Sequence, residues 1–268
     1  MDARRDLGLR VLTTKVAIVT GAGQGIGKAT AARLAEDGMH VVCVDCVAES
    51  AERTVAMLRE HDRDATACTA DVSRDADCLQ AAELAAGLGD IRVLCNIAGI
   101  SPFSSGIAHA SEKLWDRVFA VNVKSIFLMS RACLPYLELC DAYPVIVNMA
   151  SVHAFASLPE SAPYAASKGA IVALTRQMAV DLTPSGVRVV AVAPGAVNTP
   201  SSYSAALALE ADTHELGFLQ DPRRLGWLGD PEDVAEAVAW LASPQARFVN
   251  GATLVIDGGL LAQIPRRT

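Results

Sequence analysis

Short apolar runs alternate along this chain with longer stretches of helical period, almost from end to end. Lys15–Thr20 (KVAIVT) reads as a first strand, since an unbroken apolar run of this length marks a strand covered on both faces. Over residues 26–37, Ile26, Ala29, Thr30, Arg33 and Leu34 fall at helical spacing, and Gly38 closes the helix. His40–Asp45 predicts a second strand and residues 49–60 a polar-faced helix. Residues 65–70, 75–86 and 91–95 predict a third strand, a third helix and a fourth strand. Residues 113–139 read as one or two helices with Pro135 near the end, and Val145–Met149 as a fifth strand. Ala162–Leu182 is a long helix, residues 187–193 a sixth strand, Pro231–Ala242 a helix and Thr253–Ile256 a last strand. Strands separated by helices predict repeated βαβ units, hence one doubly wound α/β domain.

Composition narrows this picture. A chain of 268 residues allows one domain or two, but no shift in composition marks a linker. We therefore expect one domain over residues 15–260, with tails at 1–14 and 261–268. Residues 199–228 are the exception to the regular pattern, and a weakly periodic stretch of that length predicts a substrate-binding loop or lid. At 51% hydrophobic and 20% charged, the chain is too apolar for disorder. A formal charge of −7 removes the cationic surface that nucleic acid or an anionic membrane would need. No apolar run reaches the 18 or so residues of a membrane span, and Arg4, Arg5 and Arg10 precede no signal-like core. Seven scattered cysteines suit a reducing compartment, so a cytoplasmic protein is expected. Cys43 and Cys46 form a CxxC, but Cys43 lies inside a strand and no histidine cluster accompanies the pair; no metal site is expected.

The first candidate chemistry lies directly after the first strand. Thr20-Gly21-Ala22-Gly23-Gln24-Gly25-Ile26-Gly27 turns the chain into the first helix. Such glycines let backbone approach a pyrophosphate, whose charge meets the helix N-terminus. No Gly-Lys-Ser/Thr follows, which disfavours a triphosphate-binding loop. Asp45 ends the second strand, 18 residues beyond Gly27. An acid there accepts the adenosine ribose hydroxyls and repels a 2′-phosphate, and its neighbours Cys46 and Val47 offer no compensating cation. The expected cofactor is NAD.

Tyr164 and Lys168 stand at i and i+4 on one helix face. A fixed cation close by favours the phenolate, and oxidised nicotinamide would add a second positive charge. Tyr164 is thereby a candidate general acid/base for a hydroxyl or carbonyl. Ser151, just past the fifth strand, could hydrogen-bond the reacting oxygen. Asn96, Ala98 and Gly99 follow the fourth strand, and Pro194 and Gly195 the sixth, so every polar cluster falls on the same sheet edge.

With these motifs in order, the chain resembles the short-chain dehydrogenase/reductase superfamily in its compact subtype of about 250 residues. The resemblance rests on Thr20–Gly27 (TGxxxGIG), Asn96 to Gly99, Asn122, Ser151 with Tyr164-xxx-Lys168, and Pro194 to Thr199. It implies a Rossmann-type, mostly parallel seven-stranded sheet with helices on both faces. It also implies that Ser151 holds the substrate oxygen, Tyr164 exchanges the proton, and Lys168 lowers the tyrosine pKa and binds the nicotinamide ribose. Asn122 would keep a helix open around a water of the proton relay. Asp71 and Val72 would meet the adenine, Asn96 the adenosine-side ribose region, and Val197 and Thr199 the carboxamide. Ile97 departs from the second asparagine many relatives carry. The late Asn250-Gly251 and Asp257-Gly258-Gly259 match the family's C-terminal region, and a homotetramer or homodimer is implied.

The resulting expectation is an NAD-dependent enzyme interconverting a secondary alcohol and a ketone. A related epimerase or dehydratase is disfavoured by three residues between Gly21 and Gly25 and by the lack of a substrate domain. A non-catalytic NAD sensor would usually have lost the serine, tyrosine or lysine. His153 is a candidate substrate contact, as are Ser101, Pro102, Phe103, Phe155 and Glu160. From 199–228 come Tyr203, Leu207, Phe218, Leu219 and Trp227.

Overall fold

A computed structural model describes residues 14–102, 106–200 and 228–262. Seven strands form one sheet: β1 Lys15–Thr20, β2 His40–Asp45, β3 Ala65–Thr69, β4 Asp90–Asn96, β5 Val145–Met149, β6 Arg188–Pro194 and β7 Thr253–Ile256. Their spatial order is β3-β2-β1-β4-β5-β6-β7, and every neighbouring pair is parallel. The order reverses between β1 and β4, which opens a crevice at the carboxyl ends of these two strands.

The helices are α1 Gly25–Glu36, α2 Ala48–Glu60, α3 Asp75–Leu88, α4 Glu112–Phe119, α5 Ser125–Leu137, α6 Ala162–Leu182 and α7 Pro231–Ala242. Alternate strand residues face opposite layers, because side chains change face at every step along a strand. Ala17, Val19, Val41, Val147 and Val192 pack with Leu34 of α1, Leu58 of α2 and Val238 of α7. Val16, Ile18, Val42, Leu94 and Ile146 pack on the other face with Ala82 of α3 and with Met129 and Leu137 of α5. Small and β-branched residues let helices lie close on both sides of the sheet.

Differences from the expected boundaries are confined to strand and helix ends, with one informative exception. The stretch 113–139 forms two α-helices joined by a π-helical turn, Ala120–Lys124, and Pro135 sits in the last turns of α5. By length and composition the combined helix Glu112–Leu137 could cross a membrane, although it contains no unbroken apolar run of that length; 56% of its most apolar window is buried inside this fold. Phe103, Tyr203, Leu207, Phe218, Leu219 and Trp227 lie outside the described residues.

Candidate active site

The turn after β1 is built so that only glycine fits. Gly21 and Gly25 have φ of +67° and +52°, where a side chain is strained. A Cβ on Gly27 would come within 2.0 Å of the Gly21 carbonyl oxygen, and one on Gly23 within 2.7 Å of Asp45 Oδ2. Gln24 precedes α1 without any side-chain cap, and the first turn holds no acid. The N–H groups and positive end of that helix are therefore left for an anion. Ile26 packs into the layer beneath, and the methyl of Thr199 lies 3.2 Å from where a Gly25 Cβ would stand. This bare cradle fits a dinucleotide pyrophosphate.

Thr20 joins the turn to the strand beyond the crevice. Its hydroxyl accepts from the N–H groups of Ile97 (2.9 Å) and Ala98 (3.1 Å) and donates to the Cys95 carbonyl at 3.3 Å. Asp45 closes the other side, where Oδ2 accepts from Gly23 N at 2.9 Å and Oδ1 from Val47 N at 3.0 Å. Its negative charge is thus fixed in place beside the glycine turn. Asp71 accepts from the N–H and hydroxyl of Ser73, which hold its carboxyl below the usual range despite partial burial. Val72 beside it is buried. Arg117 of α4 lies 3.6 Å from Asp71 and donates to Ser73 Oγ at 3.2 Å. This cation, distant in sequence, was not anticipated there.

Ser151, Tyr164 and Lys168 converge at the carboxyl end of β5. The Ser151 side chain is hydrogen-bonded to Tyr164 and accepts from His153 N at 3.2 Å. Lys168 is buried; its Nζ donates to the carbonyl of Met149, the last residue of β5, at 2.8 Å and lies 5.4 Å from the Tyr164 ring centroid. The expected lowering of the phenol's pKa does not appear. Burial pushes Tyr164 above its ordinary value, and the hydrogen bond with Ser151 works the other way without offsetting it. Burial also brings the Lys168 amine down to about 7. A partly neutral amine polarises a phenol far less than a fixed cation does.

Asn122 occupies the centre of the π-helical turn. Its Oδ1 accepts from Ile100 N at 2.8 Å, and its Nδ2 donates to Ile100 O at 2.9 Å and Ser167 Oγ at 3.0 Å. Ser167 in turn donates to the Tyr164 carbonyl at 2.7 Å. One carboxamide therefore links the helix, the loop after β4 and the turn carrying Tyr164. Gly99 lies against it, with room for a Cβ only 3.3 Å from Asn122 Oδ1.

Asn96 departs from its expected place. Its side chain is 4% exposed and donates to Asn148 Oδ1 at 2.9 Å and Ser130 Oγ at 3.4 Å. Asn148 donates onward to Thr175 of α6 at 3.0 Å. The carboxamide of Asn96 is thus a tie inside the sheet, because a polar group in a strand covered on both faces must find its partners there. Asn148 was missed, although a lone polar residue in the buried run VIVNM was the available signal.

Pro194 ends β6, and Gly195 N donates to Ile256 O at 2.9 Å. A Cβ on Gly195 would press on Asp257 at 2.9 Å. Val197 bridges Gly229, which fixes the chain just before Thr199. Glu160, at a φ of +57°, accepts from Gly106 N at 2.6 Å and so ties the segment before Tyr164 to the loop after β4. Ser101 and Pro102 are half-buried, and Phe155 is exposed. The cysteines are all free, and burial drives the thiols of Cys43 and Cys95 up to about 12, where they are unreactive. Among the described residues no three metal-ligating side chains cluster.

Known proteins resemble this chain over nearly its whole length. A family model described as enoyl-(acyl carrier protein) reductase matches residues 21–261. 2-(S)-Hydroxypropyl-CoM dehydrogenase 3 of Xanthobacter autotrophicus is 40% identical over 252 residues, covering 94% of this chain and 98% of that one. Dehydrogenase/reductase SDR family member 4 of Sus scrofa is 35% identical, covering 94% of this chain and 89% of that protein. Among solved structures, levodione reductase superposes with a TM-score of 0.87 at 30% identity, over 95% of this chain and 100% of that one. The 3-ketoacyl-(acyl-carrier-protein) reductase of Brucella melitensis, complexed with NADH, does so with a TM-score of 0.82 at 33% identity, over 93% and 99%. A glycine cradle at the switch point of a seven-stranded parallel sheet, a Ser151–Tyr164–Lys168 cluster beside it and relatives of nearly equal length together make this chain an oxidoreductase of the short-chain dehydrogenase/reductase superfamily.

Proposed function

We propose that the protein interconverts a secondary alcohol and a ketone with NAD as hydride acceptor and donor, Tyr164 serving as general acid/base. The observation that carries this reading is the meeting of Ser151, Tyr164 and Lys168 at the sheet edge that also bears the glycine cradle. When bound, the nicotinamide supplies the hydride chemistry at the substrate carbon. Ser151 hydrogen-bonds the substrate oxygen and fixes it beside the tyrosine. In oxidation Tyr164 takes the hydroxyl proton, and in reduction it returns one to the carbonyl oxygen. Lys168, held by Met149 O, lies beside the tyrosine and would also meet the nicotinamide ribose, and in its protonated form it would favour the phenolate. Asn122 holds the π-helical turn open beside Tyr164 for a water of the relay.

NAD rather than NADP follows from Asp45, whose carboxylate is fixed by Gly23 and Val47 where a 2′-phosphate would meet it. Arg117 is engaged with Asp71 and Ser73 instead. The NADH held by the Brucella melitensis reductase supports the same choice. Asp71 and Val72 would border the adenine, and Val197 and Thr199 the carboxamide. The substrate is a small alcohol or ketone met by His153 and the loops around it; the segment 199–228, read from the sequence as a lid, lies almost wholly outside the described residues. A net charge of −7 and free buried thiols favour a cytoplasmic protein that binds neither nucleic acid nor membrane. Exposed Phe127 and Val180 on α5 and α6, and Trp240, Phe248 and Val255 around α7 and β7, supply two faces for further copies, as a homotetramer or homodimer. The test is NADH formation across a panel of secondary alcohols, repeated with NADP. Turnover with NAD that vanishes in Y164F is the expected result. Equal turnover in Y164F would overturn the mechanism, and equal use of NADP would overturn the role of Asp45.

A further inference from the structure

His153 follows Ser151 by two residues, on the short 3₁₀ turn Val152–Ala154 that packs against α6. Its backbone N–H is held by Ser151 Oγ, and its carbonyl accepts from Ser157 Oγ at 3.2 Å, so both sides of the residue are fixed to the loop. The imidazole centroid stands 5.3 Å from the Tyr164 ring centroid, with the planes at 71°. That is the edge-to-face geometry in which one ring's positive rim meets the other's negative face. Lys168 Nζ lies 5.4 Å from the same phenol centroid. The phenol is therefore bounded by an imidazole from one loop and an amine from its own helix.

We propose that His153 is a positioning residue for Tyr164, its ring holding the phenol in place and keeping water from it. The inference rests on Tyr164 being the acid/base group and goes beyond a substrate contact at His153. A wall of this kind has two consequences. It fixes the direction of the phenol oxygen relative to Ser151, and it removes the solvent that would stabilise a phenolate, so Tyr164 keeps its proton until positive charge is brought to the site. The titratable groups facing His153 from α6 are Tyr164 and Lys168. Both burial and the Lys168 charge lower the imidazole's pKa, so His153 is neutral at neutral pH. Protonating it would set a second cation beside Lys168.

The contact can be tested without a substrate. The chain has four tyrosines, so ¹³Cζ-tyrosine NMR gives a resolvable set, with the Tyr164 signal assigned from its loss in Y164F. In the unsubstituted protein the Tyr164 signal should remain that of the phenol at pH 10, the group's ordinary value. In H153A and H153N it should titrate at lower pH, whereas H153F, which keeps a ring against the phenol, should titrate as the unsubstituted protein does. On any alcohol the enzyme oxidises, H153A should lower kcat about tenfold while KM changes less than about threefold, with H153F restoring most of the rate. Unaltered titration and rate in both H153A and H153N would overturn the proposal. So would an H153F as impaired as H153A, which would assign His153 a polar contact with substrate. A shifted titration in a protein that oxidises no alcohol would count against the proposed reaction and leave the ring contact standing.

Discussion

The side-chain nitrogen of Lys168 donates to the carbonyl oxygen of Met149 at 2.8 Å, joining the second turn of α6 to the last residue of β5. This bond spans the site: Ser151 lies two residues past Met149, and Tyr164 one helical turn before Lys168. It sets the distance between the strand that presents the serine and the helix that presents the tyrosine. It also leaves a lysine 4% exposed with a neutral carbonyl as its hydrogen-bond partner, which has a measurable thermodynamic consequence.

Burial lowers the Lys168 amine from its ordinary value of 10.5 to about 7 in the folded chain. Between those two values the unfolded state binds more protons than the folded state, so this residue makes stability rise with pH across that window. Tyr164, raised above 10, acts in the opposite sense only above that pH. K168M should remove much of the rise between pH 7 and 10, by a few kcal/mol, while leaving the Met149 carbonyl unpaired at a cost of about 1–3 kcal/mol. Urea unfolding of both proteins across this range measures it. A rise unchanged in K168M would show that the amine is not strongly perturbed.

Y164F should lower kcat by a factor of about 10² to 10⁴ and leave NADH binding within about threefold, since only the proton-exchanging oxygen is lost. S151A should be milder, about 10² in kcat, because it removes one hydrogen bond to the reacting oxygen. Steady-state kinetics together with fluorescence titration of NADH separate the two effects. Loss of binding in Y164F would mean that the phenol supports the cradle rather than the reaction.

Replacing Asp45 by serine should reduce the preference for NAD over NADP by about tenfold or more, equivalent to about 1.4 kcal/mol. Gly23 N and Val47 N would lose their shared acceptor, so the turn should also loosen by about 1 kcal/mol. Kd values for the two reduced cofactors, measured on the same variant, check both statements. An unaltered ratio would remove Asp45 from cofactor choice.

N148A should destabilise the fold by about 3 kcal/mol, because it strips partners from Asn96 and Thr175 inside a sheet closed to water. N148L, branched alike but without polar atoms, should cost at least as much, since the hydrogen bonds are lost although the space is filled. Chemical denaturation gives the answer, and a difference under about 0.5 kcal/mol would show that water replaces the lost amide.

The strands, the helices and the glycine cradle were legible along the chain because their causes are local. Apolar runs such as Val145–Met149 must be covered on both faces, and Gly27 meets Gly21 within a single turn. The spacing of Tyr164 and Lys168 likewise needs only a helix. Partners separated by many residues were not legible. Asn96 was read as facing the cofactor, yet its carboxamide turns to Asn148, 52 residues away. Arg117 reaches the Asp71 end of the crevice across 46 residues, as the numbering itself shows, and nothing in its neighbourhood announces this.

A doubly wound sheet, and one edge of it shared by serine, tyrosine, lysine and a phosphate cradle, could be read from the order of residues alone. Periodicity, glycine sterics and strand direction are properties of short segments. The protonation balance of the site depends instead on packing between distant segments. Packing α6 on β5 buries Lys168 and desolvates Tyr164 beside it, so on the phenol desolvation outweighs the hydrogen bond with Ser151. Burial is a property of the whole assembly, whereas the i, i+4 spacing that suggested the opposite shift is a property of five residues.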